Sequence, residues 1–196
     1  MNLPNRLTVS RFFLTIAFLA AMFTEFRFHE TVAMVLFLAA SITDLMDGAI
    51  ARKRNLITNF GILMDPLADK ILTCSAFIAF VGQGYMPAWM AVLIVARELA
   101  ITGLRLLAAS KNVVLAAEGW GKHKTITQVV TIIAVLVKVS YPEWGTAGRL
   151  VFGFAIAGQP WVNHFTTLAM WLTVALTFLS GWLYLWRNRR LYLSDM

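Results

Sequence analysis

Apolar residues run through this chain in long blocks, and polar residues gather in the short gaps between them. A helix that crosses a bilayer needs about 20 mainly apolar residues, with the few polar ones turned toward a cavity. That criterion predicts six spanning helices. They cover Thr8–Thr24, Thr31–Arg52 (apolar until Asp44), a third that starts between Gly61 and Pro66 and reaches Val81, Pro87–Ala109, Lys122–Val139 and Asn163–Trp186. The fourth carries Arg97, Glu98 and Arg105 inside it. Gly82-Gln83-Gly84 and Gly158-Gln159-Pro160 read as breaks. The segment Gly145–Gly158 is apolar but short and holds four glycines, and it reads equally as an interfacial piece, a re-entrant piece or an extension of a neighbouring helix. Residues 1–7 are too few for a domain and read as a short interfacial segment. With no internal repeat or linker, residues 1–196 form a single domain, an all-α polytopic membrane protein.

Composition agrees with the block pattern. The chain is 59% hydrophobic and 14% charged, with a mean hydropathy of +0.71, whereas soluble domains average roughly 45–50% apolar and about 25% charged. A chain of 196 residues cannot hide that excess in one core. Soluble, disordered and collagen-like classes are excluded, and Cys74, the single cysteine, excludes a disulfide scaffold. The net charge of +7 falls in small clusters between apolar blocks, which is positive-inside patterning and argues against a nucleic-acid partner. Arg6, Arg11, Arg52-Lys53-Arg54, Lys111, Lys122, Lys124 and Arg187/Arg189/Arg190 fall on one side, against Arg27, Lys138 and Arg149 on the other. This bias places both termini in the cytoplasm and requires an even number of spans. Arg6 and Arg11 before an apolar run imitate a signal peptide, but five further spans favour a retained first helix.

The acids are more informative than the bases. Asp44, Asp47, Asp65 and Asp69, four of the ten acidic residues, fall within 26 positions. On helices the first pair is spaced i,i+3 and the second i,i+4, so each pair shares a face. The polar stretch Lys53–Asn59 is short, which predicts an antiparallel hairpin. A hairpin symmetric about its midpoint sets Asp44 against Asp69, Gly48 against Asp65 and Arg52 against Gly61, all near the cytoplasmic end. Four carboxylates in a low dielectric cannot all stay ionised without cations, and Arg52 and Lys70 supply only two charges. Clustered oxygen donors suit Mg²⁺ or Mn²⁺, and the absence of histidine here disfavours zinc. Taken singly, the residues have plainer readings. Asp65 before Pro66 looks like a helix N-cap with a first-turn proline. Gly48 and Gly61 suit close helix packing as well as close approach of a ligand. Salt-bridged helix ends or proton-relay groups are the structural alternative for the four acids together.

Asp44-x₂-Asp47-Gly48-x₂-Ala51-Arg52-x₈-Gly61-x₃-Asp65-x₃-Asp69 carries every element and spacing of the CDP-alcohol phosphotransferase motif, and the chain resembles that family over most of its length. The resemblance implies displacement of CMP from a CDP-linked donor by an alcohol, assisted by two Mg²⁺ or Mn²⁺ ions. It implies that Asp44, Asp47 and Asp65 are metal ligands and that Asp69 is both near the metals and the general base. Gly48, Ala51, Arg52 and Gly61 match the positions that hold the cytidine diphosphate. It also implies a homodimer.

Other polar residues at cytoplasmic depth must bind the acceptor. Asn5, Thr8 and Arg11 stand at the entry to the first helix, Arg97, Glu98 and Arg105 on the fourth, and Lys122 and Lys124 at the opening of the fifth, where helix amides favour an anion. Together they make a basic wall suited to a second phosphate, and so to a phosphorylated acceptor. The bland readings are positive-inside signalling for Lys122 and Lys124 and a structural pair for Arg97 and Glu98, which are adjacent and do not share a face as i,i+4 partners would. Asn5 in Pro4-Asn5-x-Leu7-Thr8-x₂-Arg11, Ala96-Arg97-Glu98 with Arg105, and Gly121-Lys122-x-Lys124-Thr125 resemble the bacterial branch of the family that uses glycerol 3-phosphate. That branch implies CDP-diacylglycerol as donor, phosphatidylglycerol phosphate and CMP as products, and a multi-pass place among the lipids of a bacterial inner membrane with the active site facing the cytoplasm. Rival readings are another acceptor within the family, such as inositol phosphate or serine, and a cation or proton transporter. A transporter would place its acids near mid-membrane and often shows inverted repeats.

Overall fold

In the computed structural model the regular structure among the described residues is helical apart from one two-residue ladder. Residues 3–54, 59–111, 113, 115 and 119–193 are described, without the side chains of 3–8, 44–54, 59–66, 69, 119–122, 190 and 193. Five long helices come first: α1 (Leu3–Phe23), α2 (His29–Arg54), α3 (Asn59–Gly82), α4 (Ala88–Ser110) and α5 (Gly119–Ser140). A 3₁₀ turn (Tyr141–Trp144), the short α6 (Gly145–Phe152), β1 (Ala155–Ile156) and β2 (Gln159–Pro160) lead to the long α7 (Trp161–Arg187), and α8 (Arg189–Leu193) follows. The long helices have 21 to 27 residues, enough to cross a hydrocarbon layer about 30 Å thick.

Most helices begin before their apolar blocks do, because a helix continues through polar flanks that a hydropathy window leaves out. α1 begins at Leu3 and so includes residues 3–7. α3 begins at Asn59, which makes Asp65 its seventh residue and Pro66 its eighth. The N-cap reading of Asp65 is thereby corrected, and Pro66 withholds from the helix interior the hydrogen bond that an N–H would give the Ile62 carbonyl. Gly145–Gly158 contains both a helix and most of a hairpin. Gly145, at φ +65°, separates the 3₁₀ turn from α6, and Ala157 and Gly158, at φ +51° and +82°, form the two-residue turn between β1 and β2.

Each long helix with described side chains buries one stripe. Arg11, Thr15, Phe18 and Met22 point inward on α1, Ala33, Phe37 and Ala40 on α2, and Ile94, Glu98, Ile101, Leu104 and Ala108 on α4. On α5 the stripe is Lys124, Gln128, Thr131 and Val135, and on α7 Val162, Thr166, Ala169, Thr173, Thr177, Ser180 and Tyr184. These three- and four-residue steps are the period of a helix face. α1 packs on both α2 and α3 and stands as their common neighbour, whereas α2 and α3 touch little among the described residues. The predicted hairpin therefore leans on α1, whose Phe18 ring meets Phe37 at 5.9 Å. α7 packs on α4 and α5, and α5 also meets α2. Hydroxyls join α5 to α7: Thr131 Oγ1 donates to the Ala169 carbonyl and Thr166 Oγ1 to that of Ala134. Such bonds matter where lipid supplies no hydrophobic drive between helices.

The opposite faces carry bare apolar side chains. Phe13, Ile16, Val92, Leu99, Leu106, Leu168 and Trp182 are all more than half exposed. Among the described residues, two runs are long and apolar enough to cross a membrane, His123–Phe152 and Trp161–Arg187, beside shorter apolar helices at Val9–Phe23, His29–Thr43 and Lys70–Gly82.

The end at which α1 meets α2 and α3 meets α4 is tied by side chains. Gln83 Nε2 donates to the Met22 carbonyl at 2.8 Å, and Trp144 Nε1 to Thr31 Oγ1 at 2.8 Å. In the loop before α4, the Tyr85 hydroxyl donates to Glu30 Oε1 at 2.8 Å. Burial, with that bond to an anionic acceptor, pushes the Tyr85 phenol up to about 12. A raised phenol favours the neutral form in the fold, so its stabilisation is complete below the ordinary value near 10 and disappears as pH climbs toward about 12. The stability difference between the native protein and Tyr85→Phe, measured by thermal unfolding in detergent, should hold at neutral pH and vanish over that window. A difference that does not change with pH would contradict this.

Candidate active site

The aspartate motif is divided between two consecutive helices. Asp44, Asp47, Gly48, Ala51 and Arg52 lie on the last three turns of α2, and Gly61, Asp65 and Asp69 on the first three of α3. Their side chains, and with them the depth matching, lie outside the described residues, as do those of Asn5, Thr8 and Lys122. The gap between the two helices is residues 55–58, so the motif occupies the end of the bundle at which α2 passes into α3. The donor set is carboxylate oxygen with no histidine or cysteine from 44 to 69, which fits a hard divalent cation.

A polar seam begins beside that motif. Lys70, next in sequence to Asp69, crosses from α3 and donates to the Thr102 hydroxyl on α4, and Thr102 in turn donates to the Glu98 carbonyl at 2.7 Å. The Glu98 carboxylate receives the Lys124 ammonium from α5, Gln128 Nε2 at 3.5 Å and Arg97 Nη1 at 3.3 Å. The Arg97 guanidinium continues to Ser180 Oγ on α7 at 3.4 Å. Four helices thus share one line of polar contacts. Exposure of the three ionic side chains is 14% for Arg97, 8% for Glu98 and 5% for Lys124. Among the described residues, two cations and one anion meet here in a poorly solvated place, where charge acts strongly.

The candidate acceptor residues therefore divide. Arg97, Glu98 and Lys124 come together, and adjacency in sequence does not keep Arg97 from Glu98. Arg105 stands apart. It is exposed, and its guanidinium carbon lies 5.9 Å from the centre of the Tyr184 ring. Both arginines still lean on α7, against Ser180 and Tyr184, which are one turn apart. Arg11 is fully buried on α1, and its carbonyl accepts from Thr15 Oγ1 at 2.8 Å. Thr102, Gln128, Ser180 and Gly181 belong to the seam although their residue types did not single them out. On α7 the available signal was spacing: Thr166, Thr173, Thr177, Ser180 and Tyr184 follow one another at seven, four, three and four residues, along one face of a mainly apolar helix.

Residues 1–179 match the family model described as CDP-alcohol phosphatidyltransferase. The chain is similar to the CDP-diacylglycerol–glycerol-3-phosphate 3-phosphatidyltransferase of Bacillus subtilis, with 38% identity over 95% of each chain. It is similar to the protein of that name from Mycoplasma pneumoniae, with 37% identity over 82% of this chain and 79% of the relative. It also resembles a probable phosphatidylglycerophosphate synthase of Mycobacterium tuberculosis, with 41% identity over 72% of this chain and 68% of the relative.

Proposed function

Because the chain belongs to the CDP-alcohol phosphatidyltransferase family, we propose that it transfers the phosphatidyl group of CDP-diacylglycerol to sn-glycerol 3-phosphate, giving phosphatidylglycerol phosphate and CMP. It is a membrane enzyme of phospholipid synthesis. The observation that carries the reading is the placement of Asp44 and Asp47 on α2 and of Asp65 and Asp69 on α3, in a chain whose relatives are named for this reaction.

Asp44, Asp47, Asp65 and Asp69 would hold the divalent metal, Mg²⁺ or Mn²⁺ and two ions in this proposal. Bound there, the metal would supply positive charge to the diphosphate oxygens as negative charge moves onto CMP. Gly48, Ala51 and Gly61, small residues at the end of α2 and the start of α3, admit the cytidine diphosphate, and Arg52 gives it a two-pronged contact. Asp69 takes the proton of the acceptor hydroxyl. That oxygen bonds to the phosphorus that carries diacylglycerol, and the bond from this phosphorus to the bridging oxygen breaks, so that CMP leaves with the bridging oxygen. Arg97, Arg105, Lys122, Lys124 and Arg11 receive the acceptor phosphate, with Asn5, Thr8 and Glu98 in support. The six long helices are the six spans, the termini and the reaction face the cytoplasm of a bacterial inner membrane, and the enzyme works as a homodimer.

Purified protein should release CMP from CDP-diacylglycerol when given glycerol 3-phosphate, and EDTA should stop the release until Mg²⁺ or Mn²⁺ is restored. Equal or faster release with serine or inositol phosphate would overturn the acceptor, and turnover that survives EDTA would overturn the metal mechanism.

A further inference from the structure

α7 is the one long helix to which the proposed reaction assigns no residue, yet Arg97 rests on it. A β-carbon built on Gly181 would lie 2.7 Å from Arg97 Cγ, 3.7 Å from its Cβ and 3.8 Å from its Nε. Real β-carbons essentially never come within 3.0 Å of a neighbour. The atom in the way belongs to the middle of the arginine stem, so yielding means a different path for the whole side chain. Gly181 is buried, and the next residue toward the N-terminus, Ser180, accepts from Arg97 Nη2 at 3.4 Å. The hydroxyl and the missing side chain form a seat: one side of α7 is hollow where the stem crosses, and a bond waits where the guanidinium arrives. From that seat Nη1 reaches Glu98, which also holds Lys124.

The geometry points to Gly181, with Ser180, as a positioning element for acceptor binding: by leaving room for the Arg97 stem it sets the guanidinium that receives the phosphate of glycerol 3-phosphate. This rests on the proposed reaction and on the place given there to Arg97. The role requires glycine for what it lacks, since the backbone at 181 is ordinary helix. Alanine would be the better helix former if space allowed it, so intrinsic propensity predicts a stabilised Gly181→Ala and the seat predicts a displaced arginine.

Steady-state kinetics on the purified full chain decide the matter. Gly181→Ala should raise KM for glycerol 3-phosphate roughly tenfold, the size of one charge-assisted contact. KM for CDP-diacylglycerol and kcat at saturating acceptor should move by less than about twofold, the pattern of lost binding common to ground and transition states. The arginine as intermediary is tested by a double-mutant cycle. In an Arg97→Ala background Cγ is gone, and Gly181→Ala should add nothing to KM. That double variant has room for the new methyl, so equal acceptor KM values for Arg97→Ala and the double variant also count in favour. An unchanged acceptor KM in Gly181→Ala overturns the inference while leaving the reaction intact, and so does a rise of equal size in both backgrounds. Failure of the unaltered protein to use glycerol 3-phosphate removes the reaction, and the inference with it.

Discussion

Asp69→Asn is expected to slow CMP release by about 10²–10⁴-fold, the range by which a positioned acid or base contributes. The substitution keeps the shape and an acceptor oxygen at the head of α3 but leaves a group that cannot take the proton of the attacking hydroxyl. Asp69 is also assigned to the metals, so loss of the base must be separated from loss of a ligand. Asp44→Asn, a change to a ligand alone, should shift the metal concentration needed for half-maximal rate. Asp69→Asn should stay slow when metal is saturating. Turnover at the unaltered rate in Asp69→Asn would withdraw the base from that position.

Glu98→Ala should cost stability rather than chemistry alone. The carboxylate it removes lies against Lys124 from α5 and Arg97 on its own helix, all three nearly shut off from solvent. Removing one member of a buried ionic group typically costs about 3–5 kcal/mol, because the charges left behind have lost water and partner together. Thermal unfolding in detergent measures it. Glu98→Gln, which keeps a hydrogen-bonding side chain of nearly the same volume, should lose less than Glu98→Ala. Joining Glu98→Leu to Lys124→Met should recover part of the loss, since one cation of the group, Arg97, then lacks the carboxylate instead of two. An unchanged unfolding temperature in Glu98→Ala would mean that α4 and α5 are held without the ionic contact.

The six long helices were legible because runs of about 20 apolar residues leave few alternatives. Their ends were not: residues 3–7 and 59–60 are helical without being apolar blocks, and Pro66 read as a starting signal although α3 had begun seven residues before it. The ladder at Ala155–Pro160 could not be anticipated from periodicity, since a two-residue strand has none. For the candidate site, chemistry was legible and contact was not. The aspartate motif announces itself by residue type and spacing. Lys124 reads in sequence either as part of a phosphate-binding wall or as one more positive-inside charge, and its contact with Glu98 one helix away is not visible there. Ser180 and Gly181 carry no charge, and their part depends on the course of an arginine from another helix.

The load on α4 has a further consequence, in how the protein is made. Arg97, Glu98 and Arg105 all lie within its 23 residues, and it is absent from the described helices apolar enough to cross a membrane by themselves. A charged residue at the centre of an inserting helix costs about 2.5–3.5 kcal/mol. Alone in the insertion machinery during synthesis, α4 is therefore a poor passenger. Lys124 and Gln128 on α5 and Ser180 on α7 offset its polarity, and all three emerge from the ribosome after it. The fourth helix should wait at the membrane for its younger neighbours and settle into the bilayer together with them.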